Sequence, residues 1–150
     1  FDIIEVMSRV LVSLEGRITG RGLDVDAQFP EDPIMVWGDP DSITQVCYNL
    51  VDNAAKFARD GKTIEVSVFS DSEAATIQFR DHGPGIPENE LPHVKEKFFK
   101  GEKHKARGSG IGLAVCDEII TRHGGTFDIG NAHGGGALVT ITLPIAPDET

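Results

Sequence analysis

The sequence predicts an α+β fold, a two-layer sandwich in which a mixed, mostly antiparallel sheet carries its helices on one face. Three observations point there. Segments of alternating hydrophobicity come in adjacent pairs rather than in strict strand–helix–strand alternation. Two long helical patterns with clear start or stop signals stand between those pairs. The 150 residues make one domain, and a chain of that length buries roughly 70% of its unfolded surface, enough for a core without staples.

Over residues 2–19, Ile3, Ile4, Val6, Met7, Val10, Leu11 and Leu14 fall at helical spacing, and Gly20 and Gly22 stop that helix. Residues 23–29 alternate Leu23, Val25, Ala27 and Phe29 with Asp24, Asp26 and Gln28, the pattern of a half-buried strand, and 34–37 reads as a short second strand. A helix then opens at Asp39-Pro40-Asp41, where Asp39 caps free amides, Pro40 suits the first turn and Asp41 complements the dipole. It is expected to run to Ala58. Ile64-Val66-Val68 and Ile77-Phe79 lie on either side of Asp71-Ser72, two antiparallel strands joined by a short turn. Periodicity fails over 82–108, a stretch far longer than the usual connection of about 4 to 6 residues, so a loop of functional size is expected, with a helical turn near 88–97. Residues 111–123 form the second long helix, with Gly124 where left-handed caps sit. Phe127-Ile129 and Val139-Ile141-Leu143 are the last strands.

Composition excludes several classes. A formal net charge of −10 and a pI near 4.8 argue against nucleic acid and against direct contact with an anionic membrane. No apolar run is long enough to span a bilayer, and the N-terminus lacks a signal-peptide layout. Cys47 and Cys116 are too few for a disulfide framework or a four-ligand zinc site, and both sit inside apolar helical patterns, as buried thiols of a reducing cytoplasm would. The chain starts at Phe1 without a Met, so it is expected to be a piece of a longer protein.

Three clusters carry candidate chemistry. On the helix from 39 to 58, Ile43, Val46, Cys47, Leu50, Val51, Ala54 and Phe57 share an arc of roughly 140° while Gln45, Asn49, Asn53 and Lys56 share one of roughly 80°. Such a polar stripe is in most helices a solvated face. Two Asn four apart are poor helix formers, which favours a functional use. An amide oxygen suits Mg²⁺, which takes few protein ligands and leaves other positions to water and phosphate, and Lys56 one turn on would meet phosphate. Asp81 follows a strand and precedes Gly83 and Gly85. Such a turn is commonly only a turn; the alternative is that its carboxylate accepts the exocyclic amine of adenine, which guanine lacks, while the glycines admit close backbone approach. His82 reads as an exposed bystander. Gly108-Ser109-Gly110-Ile111-Gly112 opens the second helix, where free amides favour phosphate, yet it is neither a Walker A motif nor a dinucleotide fingerprint. Just before it, Lys95, Lys97, Lys100, Lys103, Lys105 and Arg107 hold six of the chain's 14 basic residues. In an acidic domain beside a phosphate cradle, that run reads as a lid over triphosphate. Phe98 and Phe99 either anchor the lid or are core residues.

Taken together, these residues resemble the ATP-binding catalytic domain of sensor histidine kinases, within the group shared by gyrase, Hsp90 and MutL ATPases. Gln45 to Phe57 resembles that family's N box, Asp81-x-Gly83-x-Gly85 its G1 box, Lys95 to Lys100 its F box, and Gly108-x-Gly110-x-Gly112-Leu113 its G2 box. The resemblance spans residues 39–144 and implies a Bergerat-type sandwich with ATP and Mg²⁺ held between helices and lid. It implies Asn49, Asn53 and Lys56 as catalytic residues, Asn53 as the principal Mg²⁺ ligand and Asn49 as its assistant. Phe57, Asp81, Gly83, Gly85 and Ile86 would line the base site, and Lys100, Gly108, Ser109, Gly110, Ile111, Gly112 and Leu113 the phosphate side. Residues 1–22 would be the helix leading from a dimerisation and phosphoacceptor domain, and 23–150 the catalytic domain. The implied partners are that domain within a homodimeric parent and a response regulator; the implied place is the cytoplasm, with the parent an inner-membrane sensor.

Two departures stand out. Lys95 occupies the place where the F box usually begins with Phe, and no His-Glu phosphoacceptor context occurs around His82, His93, His104, His123 or His133. The receiving His is therefore expected outside this chain. Hydrolytic relatives carry an acidic residue where Asn49 stands, and an amide is no general base, so slow free ATP hydrolysis is expected. Two rivals are an anti-sigma-factor-like serine kinase of the same fold and a non-catalytic ATP-binding switch.

Overall fold

Asp39 starts the helix that positions everything else. Its carboxylate accepts hydrogen bonds from the Asp41 amide at 3.3 Å and the Ser42 hydroxyl at 2.7 Å, and Pro40 follows at the first turn. The computed structural model describes residues 1–20, 22–58, 62–93 and 112–146, with the Phe57 and His93 side chains outside that set. Expectations for Lys95 to Arg107, Lys100, Phe98, Phe99, Gly108, Ser109, Gly110 and Ile111 lie outside the described residues.

The elements run α1 (Ile3–Ser13), α2 (Glu15–Gly20), β1 (Asp24–Gln28), α3 (Pro40–Phe57), β2 (Thr63–Ser70), β3 (Ala74–Arg80), a 3-10 turn (Leu91–His93), α4 (Gly112–Arg122), β4 (Thr126–Asn131) and β5 (Ala137–Pro144). The strands form a five-stranded sheet in the order β1-β2-β3-β5-β4. β1 runs parallel to β2 and every other pair is antiparallel. The mixed, mostly antiparallel sheet is as expected, but β1 is not paired by a hairpin: the chain leaves β1, passes through α3, and returns alongside as β2.

Register explains the core. Val66, Phe79, Val139 and Ile129 form one row across four strands, and Val68, Ile77, Ile141 and Phe127 the next. Because side chains alternate across a strand, both rows face the helices. Ile77 and Ile141 are fully buried, and each contributes about 1.5–3 kcal/mol by leaving water. The opposite face carries Ser67, Gln78, Thr140 and Asp128 in register and is open to solvent, which places the helices on one side.

Four expectations are corrected. The helix expected over 2–19 breaks at Leu14, whose backbone leaves the helical range; Gly16 is a poor helix former, and the break turns Ile18 into the core. Residues 34–37 make only isolated bridges, Met35 with Asp2 and Val36 with Ile145, between Pro33 and Gly38. β1 is mostly exposed rather than half buried, with Leu23 buried just before it, because it is a sheet edge covered on one face only in part. His82 is no bystander: its Nε2 lies 2.8 Å from Glu65 Oε2. The cap at Gly124 is as expected, with φ +76 and the Gly125 amide bonded to Ile120 O at 2.9 Å. Just before it, His123 accepts from the Asp39 amide at 3.0 Å through Nε2 and donates from Nδ1 to Ile119 O at 2.7 Å, tying the start of α3 to the end of α4. Among the described residues no helix is long and apolar enough to cross a membrane.

Candidate functional site

Where α3 crosses the end of β3, ten residues line one cavity: Leu50, Asn53, Ala54, Phe79, Asp81, Ile86, Leu113, Ile129, Ala137 and Val139. The helical period puts Leu50, Asn53 and Ala54 on one face of α3, and the strand period puts Phe79 and Asp81 on one face of β3 and its extension. Among the described residues, Asn53 and Asp81 are the two polar residues in the buried class, at 8% and 2% exposed. Both line this otherwise apolar cavity. A planar, mostly apolar ligand with one or two hydrogen-bonding edges is the chemistry such a lining accepts.

Asp81 is held from behind. Its Oδ1 accepts from the backbone amides of Gly83 at 3.0 Å and Ala137 at 3.1 Å, and its own amide donates to Ala137 O at 3.2 Å. The glycine turn that follows is shaped by Gly85, at φ +78, a conformation other residues adopt at a cost. Ile86 then drops into the cavity wall. Its backbone is gripped by Asn131, whose Oδ1 accepts from the Ile86 amide at 2.7 Å and whose Nδ2 donates to Ile86 O at 2.8 Å.

Asn53 presents its amide to the cavity and makes no side-chain hydrogen bond among the described residues. Asn49, one turn earlier, is half-buried and turned towards α4, with its Nδ2 4.0 Å from Cys116 Sγ. Burial pushes the Cys116 thiol up to about 11, partly offset by this contact. Lys56 is exposed and pairs with Asp52 at 3.3 Å; Asp52 also accepts from Arg17 at 2.6 Å. Such an exposed pair is weak and screened by salt, so it does not fix Lys56 away from a nearby polyanion. Among the described residues no group of three or more His, Cys, Asp or Glu is placed to hold a metal ion.

The sequence-predicted residues Asn53, Asp81, Ile86 and Leu113 therefore share one wall, with Gly83 and Gly85 shaping the turn between them. Gly112 begins α4 next to Leu113. Asn49 and Lys56 flank the cavity without lining it. Phe57 ends α3, its side chain outside the described residues, as are Lys100, Gly108, Ser109, Gly110 and Ile111. Sequence reasoning missed Asn131 and Gly136. The signal was the run Gly134-Gly135-Gly136 after a strand ending in Asn, which marks a turn of unusual backbone shape; all three have positive φ.

Comparison with known proteins agrees with this fold. The family model described as histidine kinase-, DNA gyrase B-, and HSP90-like ATPase matches residues 38–147. The sensor protein KdpD of Clostridium acetobutylicum is 40% identical over 123 residues, covering 80% of this chain and 14% of that protein. The mycobacterial sensor histidine kinase MprB has a solved structure 30% identical with a TM-score of 0.87, covering 99% of both chains. The catalytic domain of histidine kinase ThkA superposes with a TM-score of 0.88 at 26% identity, covering 98% of this chain and 97% of that one. The curated relatives are longer, and the chain spans between 14% and 39% of their lengths.

Proposed function

This chain belongs to the histidine kinase-, DNA gyrase B- and HSP90-like ATPase family, and from that premise we propose that it is the ATP-binding catalytic domain of a two-component sensor histidine kinase. It passes the γ-phosphoryl group of ATP to a histidine imidazole on a separate stem domain, with ADP leaving. One observation carries the reading: the two buried polar residues, Asn53 and Asp81, face the same apolar cavity.

Each residue has a task in this account. Asp81, fixed through Oδ1 by Gly83 and Ala137, accepts from the adenine amine and disfavours guanine. The Asn53 side chain, only 8% exposed and with no hydrogen bond among the described residues, offers an amide oxygen that fits a hard cation, and Mg²⁺ would be held there with Asn49 assisting. When bound, Mg²⁺ neutralises charge on the phosphates. Lys56 swings from Asp52 to the phosphate oxygens. Gly108, Ser109, Gly110, Ile111 and Lys100, which the sequence assigns to the phosphate side, lie outside the described residues. Because Asn49 and Asn53 are amides, neither activates water, and phosphoryl transfer depends on positioning and on the incoming imidazole.

The partners of this reading are the dimerisation and phosphoacceptor domain, to which residues 1–22 lead from 23–150, and a response regulator. The parent is a homodimer with this domain on the cytoplasmic side, and an inner-membrane sensor. α1 nonetheless packs Ile3, Met7 and Val10 into the core of this domain, so a link to the stem is rigid at this end. The test mixes the chain with a separate His-bearing stem domain and radioactive ATP. An alkali-stable, acid-labile label on the stem supports the reading; an acid-stable label on serine, or none, removes it.

A further inference from the structure

We infer that Asn131 is a positioning residue for nucleotide binding, and that the turn between β4 and β5 is the template on which the Asp81–Ile86 loop is shaped. This rests on the nucleotide reading above. Its footing is a set of contacts between two stretches 45 or more residues apart in sequence.

Four contacts join them. Arg80 Nη2 donates to the turn carbonyls of His133 at 3.0 Å and Gly135 at 3.2 Å. Asp81 and Ala137 exchange a side-chain and a backbone bond. Gly136, at φ +82, lies so close that a Cβ there would stand 1.8 Å from Asp81 O. Asn131 closes the far end by gripping both polar groups of the Ile86 backbone. Between the ends, Gly85 leaves no room for a side chain, since its Cβ would meet Asn131 Oδ1 at 2.7 Å.

The arrangement separates recognition from positioning. Asp81 faces the ligand, whereas Asn131 is an exposed residue at the end of edge strand β4 and lines no part of the cavity. An exposed side chain at a strand end buries little apolar area of its own. Its two bonds instead fix the peptide that carries Ile86 into the cavity wall, and with it the pitch of the loop after Asp81. A neutral amide suits this place, because its oxygen accepts from the N–H while its NH₂ donates to the carbonyl, which a carboxylate cannot do. Asn131→Asp keeps the acceptor but sets a carboxylate oxygen against Ile86 O.

The test compares the wild-type chain with Asn131→Ala, Asn131→Asp and, as an edge-strand control, Asp128→Asn. Four readouts are taken: affinity for a non-hydrolysable ATP analogue, affinity for the matching GTP analogue, thermal midpoint, and hydrogen exchange at the Ile86 amide. Both Asn131 variants are expected to bind the ATP analogue roughly tenfold more weakly, as befits two lost hydrogen bonds. Their preference over GTP narrows, the Ile86 amide exchanges faster, and the midpoint falls only modestly, as two lost hydrogen bonds require, while Asp128→Asn matches wild type throughout. Wild-type affinity and base preference in Asn131→Ala overturn the inference. So does a loss that only tracks a lowered midpoint with faster exchange across the whole sheet. If the wild-type chain binds neither nucleotide, the functional reading fails first and this inference with it.

Discussion

Asp81 is bonded to Ala137 twice, its amide to Ala137 O at 3.2 Å and its Oδ1 to the Ala137 amide at 3.1 Å. The residue that faces the cavity is thus held by the first residue of β5 as well as by Gly83 of its own loop. Gly136 makes this possible by letting the turn run against the Asp81 carbonyl.

Gly136→Ala is therefore expected to be severe. The added methyl would collide with backbone, and φ +82 is costly for any residue with a Cβ. We expect a loss of about 2 kcal/mol or more in urea unfolding, together with loss of nucleotide affinity. Wild-type stability in this variant would show that the turn does not brace Asp81.

Asn53→Ala is expected to behave in the opposite way. The Asn53 side chain makes no hydrogen bond among the described residues, so its removal should leave the thermal midpoint unchanged or slightly raised. The enhancement of ATP-analogue affinity by Mg²⁺ should fall by about tenfold or more. Titration with and without the metal reads this directly, and an undiminished Mg²⁺ effect would remove Asn53 as a ligand.

Much of this was legible from the sequence because local signals agreed with the fold. Asp39 and Pro40 announced α3, and its period placed Asn53 beside an apolar stripe; Asp81 with Gly83 and Gly85 announced a special turn. What escaped was non-local. Nothing in residues 23–29 says that β1 pairs parallel to a strand beyond α3, since either orientation satisfies the same alternation. Nothing local to Asn131 says that its amide grips Ile86. Lys56, expected towards phosphate from its place on the stripe, pairs with Asp52, the nearest charge on the same helix, through an exposed contact that leaves that expectation open to test.

The two cysteines should be silent in the folded chain. Burial pushes the Cys47 thiol up to about 12 and Cys116 to about 11, so both stay protonated near neutrality. A thiol-reactive dye at pH 8 should label neither until denaturant is added, after which both react. The stabilisation this represents is fully present below the ordinary thiol value of about 8.5 and is lost as pH rises from there towards the folded values. Rapid native labelling of Cys47 would contradict its burial.

Two carboxylates tie stability to acid. The Ser42 hydroxyl and backbone amides hold Asp39 below its ordinary value, and the amides of Glu73 and Ala74, at 2.7 and 2.9 Å, do the same for Asp71. A lowered folded value means stabilisation that is present above the unfolded value and lost as pH falls through the folded one. The double variant Asp39→Asn, Asp71→Asn should keep most of its neutral stability, Asn being a good cap, and should lose less of it below about pH 4. Thermal midpoints from pH 2 to 7 check this; an unchanged acid limb would show that these two groups do not set it.

The central claim is that Asp81 reads adenine in the cavity it shares with Asn53. Calorimetric titration of the chain with non-hydrolysable ATP and GTP analogues in Mg²⁺, for wild type and Asp81→Asn, tests it most directly. The account predicts saturable binding of the ATP analogue, a clear preference over GTP, and a loss of at least about tenfold in Asp81→Asn with the fold retained. Equal binding of the two nucleotides, or an Asp81→Asn variant that binds ATP as wild type does, would contradict it.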